Sequence, residues 1–198
     1  MNILLISGHG AGDPGATSSI GGVAYREADQ TRRVTAALQA ALAAYCDVTV
    51  YPTDRNAFED HKKGTLAAVA HFSKYDYVLE IHFNALSASA ADGKIKGVEC
   101  YIPVGAESDS VETAICKAVA SVGLTNRGVK TYNWAVISKA RQSGIRAALL
   151  EVCFIDDPDD MAVYNSKFQA IVDAIAGAIA TSYNLKKEDD TMTGKEIY

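Results

Sequence analysis

No apolar run in this 198-residue chain approaches the roughly 18 residues that a transmembrane helix needs. A helical membrane span is therefore excluded. The opening segment MNILLISGHG lacks the basic start and long apolar core of a secretory leader, so it reads as a first strand. The expectation is synthesis in the cytoplasm without a signal peptide. Positive charge is in short supply: 19 Lys and Arg face 24 Asp and Glu, for a net charge of -5. That is the opposite of the basic surface by which proteins hold nucleic acid. None of Cys46, Cys100, Cys116 and Cys153 forms a C-x-x-C pair, and no histidine stands at zinc-finger spacing from one of them. Free thiols, no disulfides and a reducing compartment are expected. The chain also has no G-x-x-x-x-G-K-[ST] loop and no internal repeat.

What is present describes one ordinary domain, with 48% hydrophobic and 22% charged residues. Strand-like runs are expected at Asn2–Ser7, Asp47–Tyr51, Tyr77–His82, Gly97–Pro103 and Ile145–Cys153. One or two short strands are expected within Arg127–Ile137, and a glycine-containing loop up to about Arg26. Helical spacing predicts helices at Glu27–Tyr45, Asp60–Tyr75, Ser108–Val122, Asp157–Tyr164 and Lys167–Tyr183. Strands alternating with helices imply a single α/β domain with helices on both faces of the sheet. After residue 184 the composition changes to a charged run, KKEDD. Thr193 and Glu196 follow at the spacing of a capping box. Residues 185–198 are therefore expected to be a linker and the start of a further domain.

Between the first strand and the first helix lies SGHGAGDPGA, whose glycines fit the G-x-G-x-x-G spacing of a dinucleotide loop. That loop works only where a helix begins at it and offers its free N–H groups to pyrophosphate. Here polar residues and two more glycines follow, and Pro14 removes a donor. The more informative residue is His9, at the C-terminal edge of a strand, where open α/β sheets bind ligands. His82 and Glu151 end two other strands, and Glu27 opens a helix running back from the same edge. Glu80 shares a strand face with His82 but lies deeper. His61 and His71 sit on a predicted helix, away from strand ends. Two imidazoles and a carboxylate make a zinc shell with a place left for water, and a second carboxylate can move protons. The intervals between these residues fit no local pattern, so four polar residues that merely end elements remain an alternative.

At these residues the sequence resembles the zinc-dependent N-acetylmuramoyl-L-alanine amidases, the family of bacterial cell-wall amidases and phage endolysins. The resemblance runs from Asn2 to about Tyr183. GHGAGDPGA resembles the first motif, with His9 as zinc ligand. Glu27 in YREADQ matches the helix-opening glutamate. EIHFNA resembles the third motif, with His82 as ligand and Asn84 close behind. NRGVK, residues 126–130, resembles a segment beside the site, and LLEVCFIDDPDDM the last motif, with Glu151 as its glutamate. The chain departs in having Ile6-Ser7 where many members carry Asp-Pro, and Cys153 where glycine is common. Cys153 is thus expected near the metal as a bystander.

The resemblance implies a mixed, mainly parallel sheet of about six strands over residues 1–184. It implies one Zn2+ on His9, Glu27 and His82, with Glu151 as general base and then acid. The reaction implied is hydrolysis of the amide between N-acetylmuramic acid and L-alanine of peptidoglycan. Asn84, Arg127 and Lys130 are the expected substrate contacts. The expected partner is the bacterial cell wall, without nucleic acid or membrane insertion, and the catalytic domain is expected to be monomeric. With the tail, these expectations describe an endolysin that reaches the wall after release, its further domain targeting the wall. The alternatives are a zinc peptidase cutting within the stem peptide and a catalytically inactive wall-binding module.

Overall fold

Apolar side chains alternate between two cores along the first strand, β1 (Asn2–Ser7). Ile3 and Leu5 enter one core, Leu4 and Ile6 the other. A strand with both faces covered belongs inside a sheet clothed by helices. The computed structural model describes residues 1–86 and 92–187. The predicted tail from residue 188, with its capping-box pattern, lies outside the described residues.

After β1 come a hairpin of β2 (Thr17–Ile20) and β3 (Val23–Arg26), then α1 (Glu27–Leu42) and β4 (Asp47–Val50). Next are α2 (Ala57–Lys62), α3 (Leu66–Ala70), β5 (Tyr77–Asn84), β6 (Val98–Ile102), α4 (Ser110–Val122) and β7 (Asn126–Thr131). The chain closes through α5 (Ala135–Gln142), β8 (Arg146–Phe154), α6 (Pro158–Ser166) and α7 (Phe168–Ser182). Six strands form one sheet in the order β4-β1-β5-β8-β6-β7. All neighbours are parallel except β6 and β8. This is the mixed, mainly parallel sheet expected. One face packs against α1, α4, α6 and α7 through Val34, Leu38, Ile115, Tyr164 and Ile175. The other packs against α2, α3 and α5 through Ala57, Leu66, Val136 and Ile137. All four cysteines are free.

Three expectations need correction. The loop up to Arg26 contains the β2–β3 hairpin, turned by Gly21 and Gly22, both at positive φ. A Gly-Gly pair between two short runs is a hairpin signal, since it admits the mirror-image turn that matches strand twist. The helix expected over Asp60–Tyr75 is two helices and a 3-10 turn, broken at Gly64, whose φ is +72°. Within Arg127–Ile137 a single strand gives way to α5. Val136 and Ile137 are β-branched, yet with Ala140 they form the buried stripe of a helix.

Candidate metal centre

Strand parity puts the chemistry on one face. Leu149 points into the core beneath α5, so Glu151, two residues on, shares its side. Val78 does the same for Glu80 and His82 on β5. His82 pairs with Glu151 across the β5–β8 ladder, and Glu151 pairs with Glu99 across β8–β6. One rung of the sheet thus carries three polar side chains in adjacent strands.

His9 arrives from the loop after β1. Gly10 and Asp13 exchange backbone hydrogen bonds of 2.8 and 3.1 Å, closing a tight turn just beyond it. A Cβ at Gly8 would overlap the His82 ring. At Gly15, which has φ +67°, it would stand 2.7 Å from the His9 ring. The glycines therefore make room for the two imidazoles, whose centroids are 5.0 Å apart in an edge-to-face arrangement. Glu27, in the first turn of α1, lies between them. Its Oε2 is 3.1 Å from His9 Nε2 and its Oε1 2.9 Å from His82 Nδ1. The same carboxylate accepts the N–H groups of Ala16 at 2.9 Å and Phe83 at 3.0 Å. Burial raises the Glu27 pKa, but the two histidines and their hydrogen bonds outweigh it and hold the group well below the usual range. Burial opposes charge on His82 too, yet Glu27 and Glu80 drive its pKa well above ordinary.

The outer nitrogens are also engaged. His9 Nδ1 lies 2.8 Å from Asp13 Oδ2. An ionised carboxylate only accepts, so Nδ1 carries the proton and Nε2 turns toward Glu27. Asp13 is fixed in turn by the Gly15 N–H at 2.9 Å and by Asn56 Nδ2 at 3.1 Å. His82 Nε2 is 3.3 Å from Glu80 Oε1. Glu80 is thus an outer partner of His82. The donor atoms of His9, Glu27 and His82 all lie within 4.8 Å of one another. Two nitrogens and a carboxylate, each histidine backed by an outer carboxylate, suit zinc.

Glu151 stands beside this group. Its Oε2 is buried without a hydrogen-bond partner, and burial, aided by Glu27, Glu99 and Glu80 against His82, pushes its pKa up to about 7. A cavity of about 400 Å³ opens over His9, Glu27, His82, Glu80 and Glu151. Phe58, Trp134, Val136 and Leu149 give it an apolar wall. Asn84 also lines it.

The three residues expected to contact substrate share one anchor. Asn84 Nδ2, Arg127 Nε and Lys130 Nζ donate to Glu99 at 2.8, 2.6 and 2.5 Å. Tyr101 adds its hydroxyl at 2.9 Å. Burial acts to raise the Glu99 pKa, but Lys130, Arg127 and Tyr101 keep it below ordinary. Glu99, Asp13 and Asn56 were not singled out from sequence. Asp13 had a signal: it is one turn's reach from His9 and begins the Asp-Pro-Gly sequence. Glu99 had only its place in the strand run GVECYIP. Cys153 is buried in the core on the α1 side, and neither it nor His61 or His71 joins the donor group.

Residues 3–181 match a family described as N-acetylmuramoyl-L-alanine amidase. The chain is 29% identical over 192 residues to a sporulation-specific N-acetylmuramoyl-L-alanine amidase of Bacillus subtilis, covering 94% of this chain and 70% of that protein. It is 29% identical over 185 residues to the probable cell wall amidase LytH of Staphylococcus epidermidis, covering 87% of this chain and 56% of that one. Among solved structures, the catalytic domain of CwlV, an N-acetylmuramoyl-L-alanine amidase from Bacillus (Paenibacillus) polymyxa, superposes with a TM-score of 0.74. That pair is 26% identical over 94% of this chain and 100% of the other.

Proposed function

The chain belongs to the N-acetylmuramoyl-L-alanine amidase family, and from that premise we propose that it is a zinc-dependent peptidoglycan hydrolase. The bond cleaved joins the lactyl group of N-acetylmuramic acid to L-alanine. The observation that carries this reading is the convergence of His9, Glu27 and His82 beside the half-buried, proton-poised Glu151. A zinc ion held by those three residues would polarise the amide carbonyl and acidify water.

Glu151 then acts as the proton carrier. Its carboxylate takes a proton from the attacking water and returns it to the departing alanine nitrogen. A carboxyl group with a pKa near neutrality can do both, because neither the charged nor the neutral form is strongly favoured. Asp13 holds His9 and Glu80 holds His82 with one nitrogen facing Glu27. The apolar wall of Phe58, Trp134 and Val136 limits water around the reacting amide.

Purified cell wall incubated with the protein should release peptides that begin with alanine, and muramic acid freed of them. Exhaustive chelation should stop this and zinc should restore it. Cleavage that persists without metal would overturn the zinc assignment, and fragments cut within the stem peptide would show a peptidase. Glu151→Gln should retain zinc while turnover falls by about 10²–10⁴. Native turnover in that variant would remove Glu151 from the role of base.

A further inference from the structure

We propose that Arg127 and Lys130, held by the buried carboxylate of Glu99, form a subsite for a carboxylate on the peptide side of the substrate. The proposal rests on the amidase reading for the identity of that substrate. Glu99 is 1% exposed, whereas the side chains of Arg127 and Lys130 are 34% and 40% exposed. One cation is enough to neutralise a buried carboxylate. Two are present, so the cluster carries an excess positive charge at its outer side.

The unused donors have the right form. Arg127 engages Glu99 through Nε alone, and its terminal nitrogens make no hydrogen bond among the described residues. Its guanidinium lies 4.9 Å from the Phe154 ring centre, which braces the plane. A guanidinium edge offers parallel N–H groups that fit the two oxygens of a carboxylate. Lys130 adds a point charge, 5.6 Å from the Tyr101 ring centre.

Position ties the cluster to the reaction. Glu99 pairs directly with Glu151 in the ladder, about one strand spacing or roughly 5 Å from the base, and its two cations come from β7, the next strand out. Asn84 joins the two regions, lining the cavity while donating to Glu99. Trp134 packs 5.9 Å from the Tyr101 ring, and Phe58 and Val136 line the same cavity, so apolar surface runs from the cation cluster into the cleft. In the proposed substrate the lactyl carboxyl of the sugar is consumed in the scissile amide, so a free carboxylate beside that bond belongs to the peptide. The peptide therefore faces Arg127 and Lys130.

Two measurements test this. In the first, the native protein hydrolyses N-acetylmuramoyl-L-alanyl-D-glutamate and its diamide. A hydrogen bond between charged groups is worth roughly tenfold or more, so kcat/KM should favour the free acid by about that factor. Arg127→Met and Lys130→Met, each leaving one cation on Glu99, should erase the preference mainly through KM. In the second, calorimetry follows binding of L-alanyl-D-glutamate, which needs no turnover. The native protein should bind it about tenfold more tightly than Arg127→Met does, and more tightly than it binds the dipeptide diamide. Equal use of acid and diamide, or equal binding by native and variant proteins, overturns the subsite. If carboxylate-dependent binding persists while neither muramoyl substrate is cleaved, the amidase reading fails and the subsite stands.

Discussion

In the proposed metal centre each imidazole must offer one chosen nitrogen, and a histidine free to flip would offer either. Asp13 removes that freedom for His9 by accepting from Nδ1, and Glu80 does the same for His82 from the other side. Asp13→Ala should therefore leave the fold intact and lower zinc affinity by about 10–100-fold. A competition titration against a chromophoric chelator measures this, and unchanged affinity would show that the loop alone orients His9. Glu27 is held more heavily, by two histidines and two backbone N–H groups. It therefore stays ionised in a buried setting that would otherwise favour the neutral acid. Among these residues, His9, Glu27, His82 and Glu151 were legible from placement at strand ends and from family motifs. Glu99 was not, because a glutamate within an apolar strand shows its partners only after β7 and β8 have been laid beside it.

Elements carry the site by register rather than by contact between neighbours in sequence. The rung His82–Glu151–Glu99 exists because β5, β8 and β6 pair in that order. Behind it, α6 works as a clamp for residues 92–97, which lead into β6. Its Asp159 accepts the N–H groups of Asp92 and Gly93. Asp160 accepts those of Lys96 at 2.6 Å, Gly97 at 2.9 Å and Phe154 at 2.9 Å. Removing Asp160 leaves three N–H groups without that acceptor. Asp160→Ala should thus lower stability by at least about 3 kcal/mol. Denaturant unfolding measures it; a loss near zero would mean that water replaces the carboxylate at no cost. The strands and long helices were readable from periodicity, as was the start of α6 at its proline. The β2–β3 hairpin and α5 were missed because short elements contain too few residues to establish a period, and β-branched residues in α5 favoured the wrong one.

Over the whole molecule, the two faces of the sheet divide the work. One face is a large apolar core under α1, α4, α6 and α7. The other begins as core and opens near the strand ends into the cleft lined by His9, Glu27, His82 and Glu151. Ile175 on α7 is fully buried on the first face. Ile175→Ala should cost about 2–5 kcal/mol of stability while leaving kcat/KM per folded molecule near native, measured by unfolding and by wall hydrolysis. A large loss of activity in folded protein would show that the faces are coupled. Local pattern was enough to specify a two-faced α/β sheet, because side-chain alternation and helical spacing are properties of consecutive residues. It also singled out four residues that the fold brings to one cleft, since strand ends and motifs can be read along the chain. The order β4-β1-β5-β8-β6-β7, the antiparallel entry of β6, and the gathering of Asn84, Arg127 and Lys130 around Glu99 came from the fold. Those features depend on which distant strands bury their edges against one another, and no short stretch of sequence contains both partners.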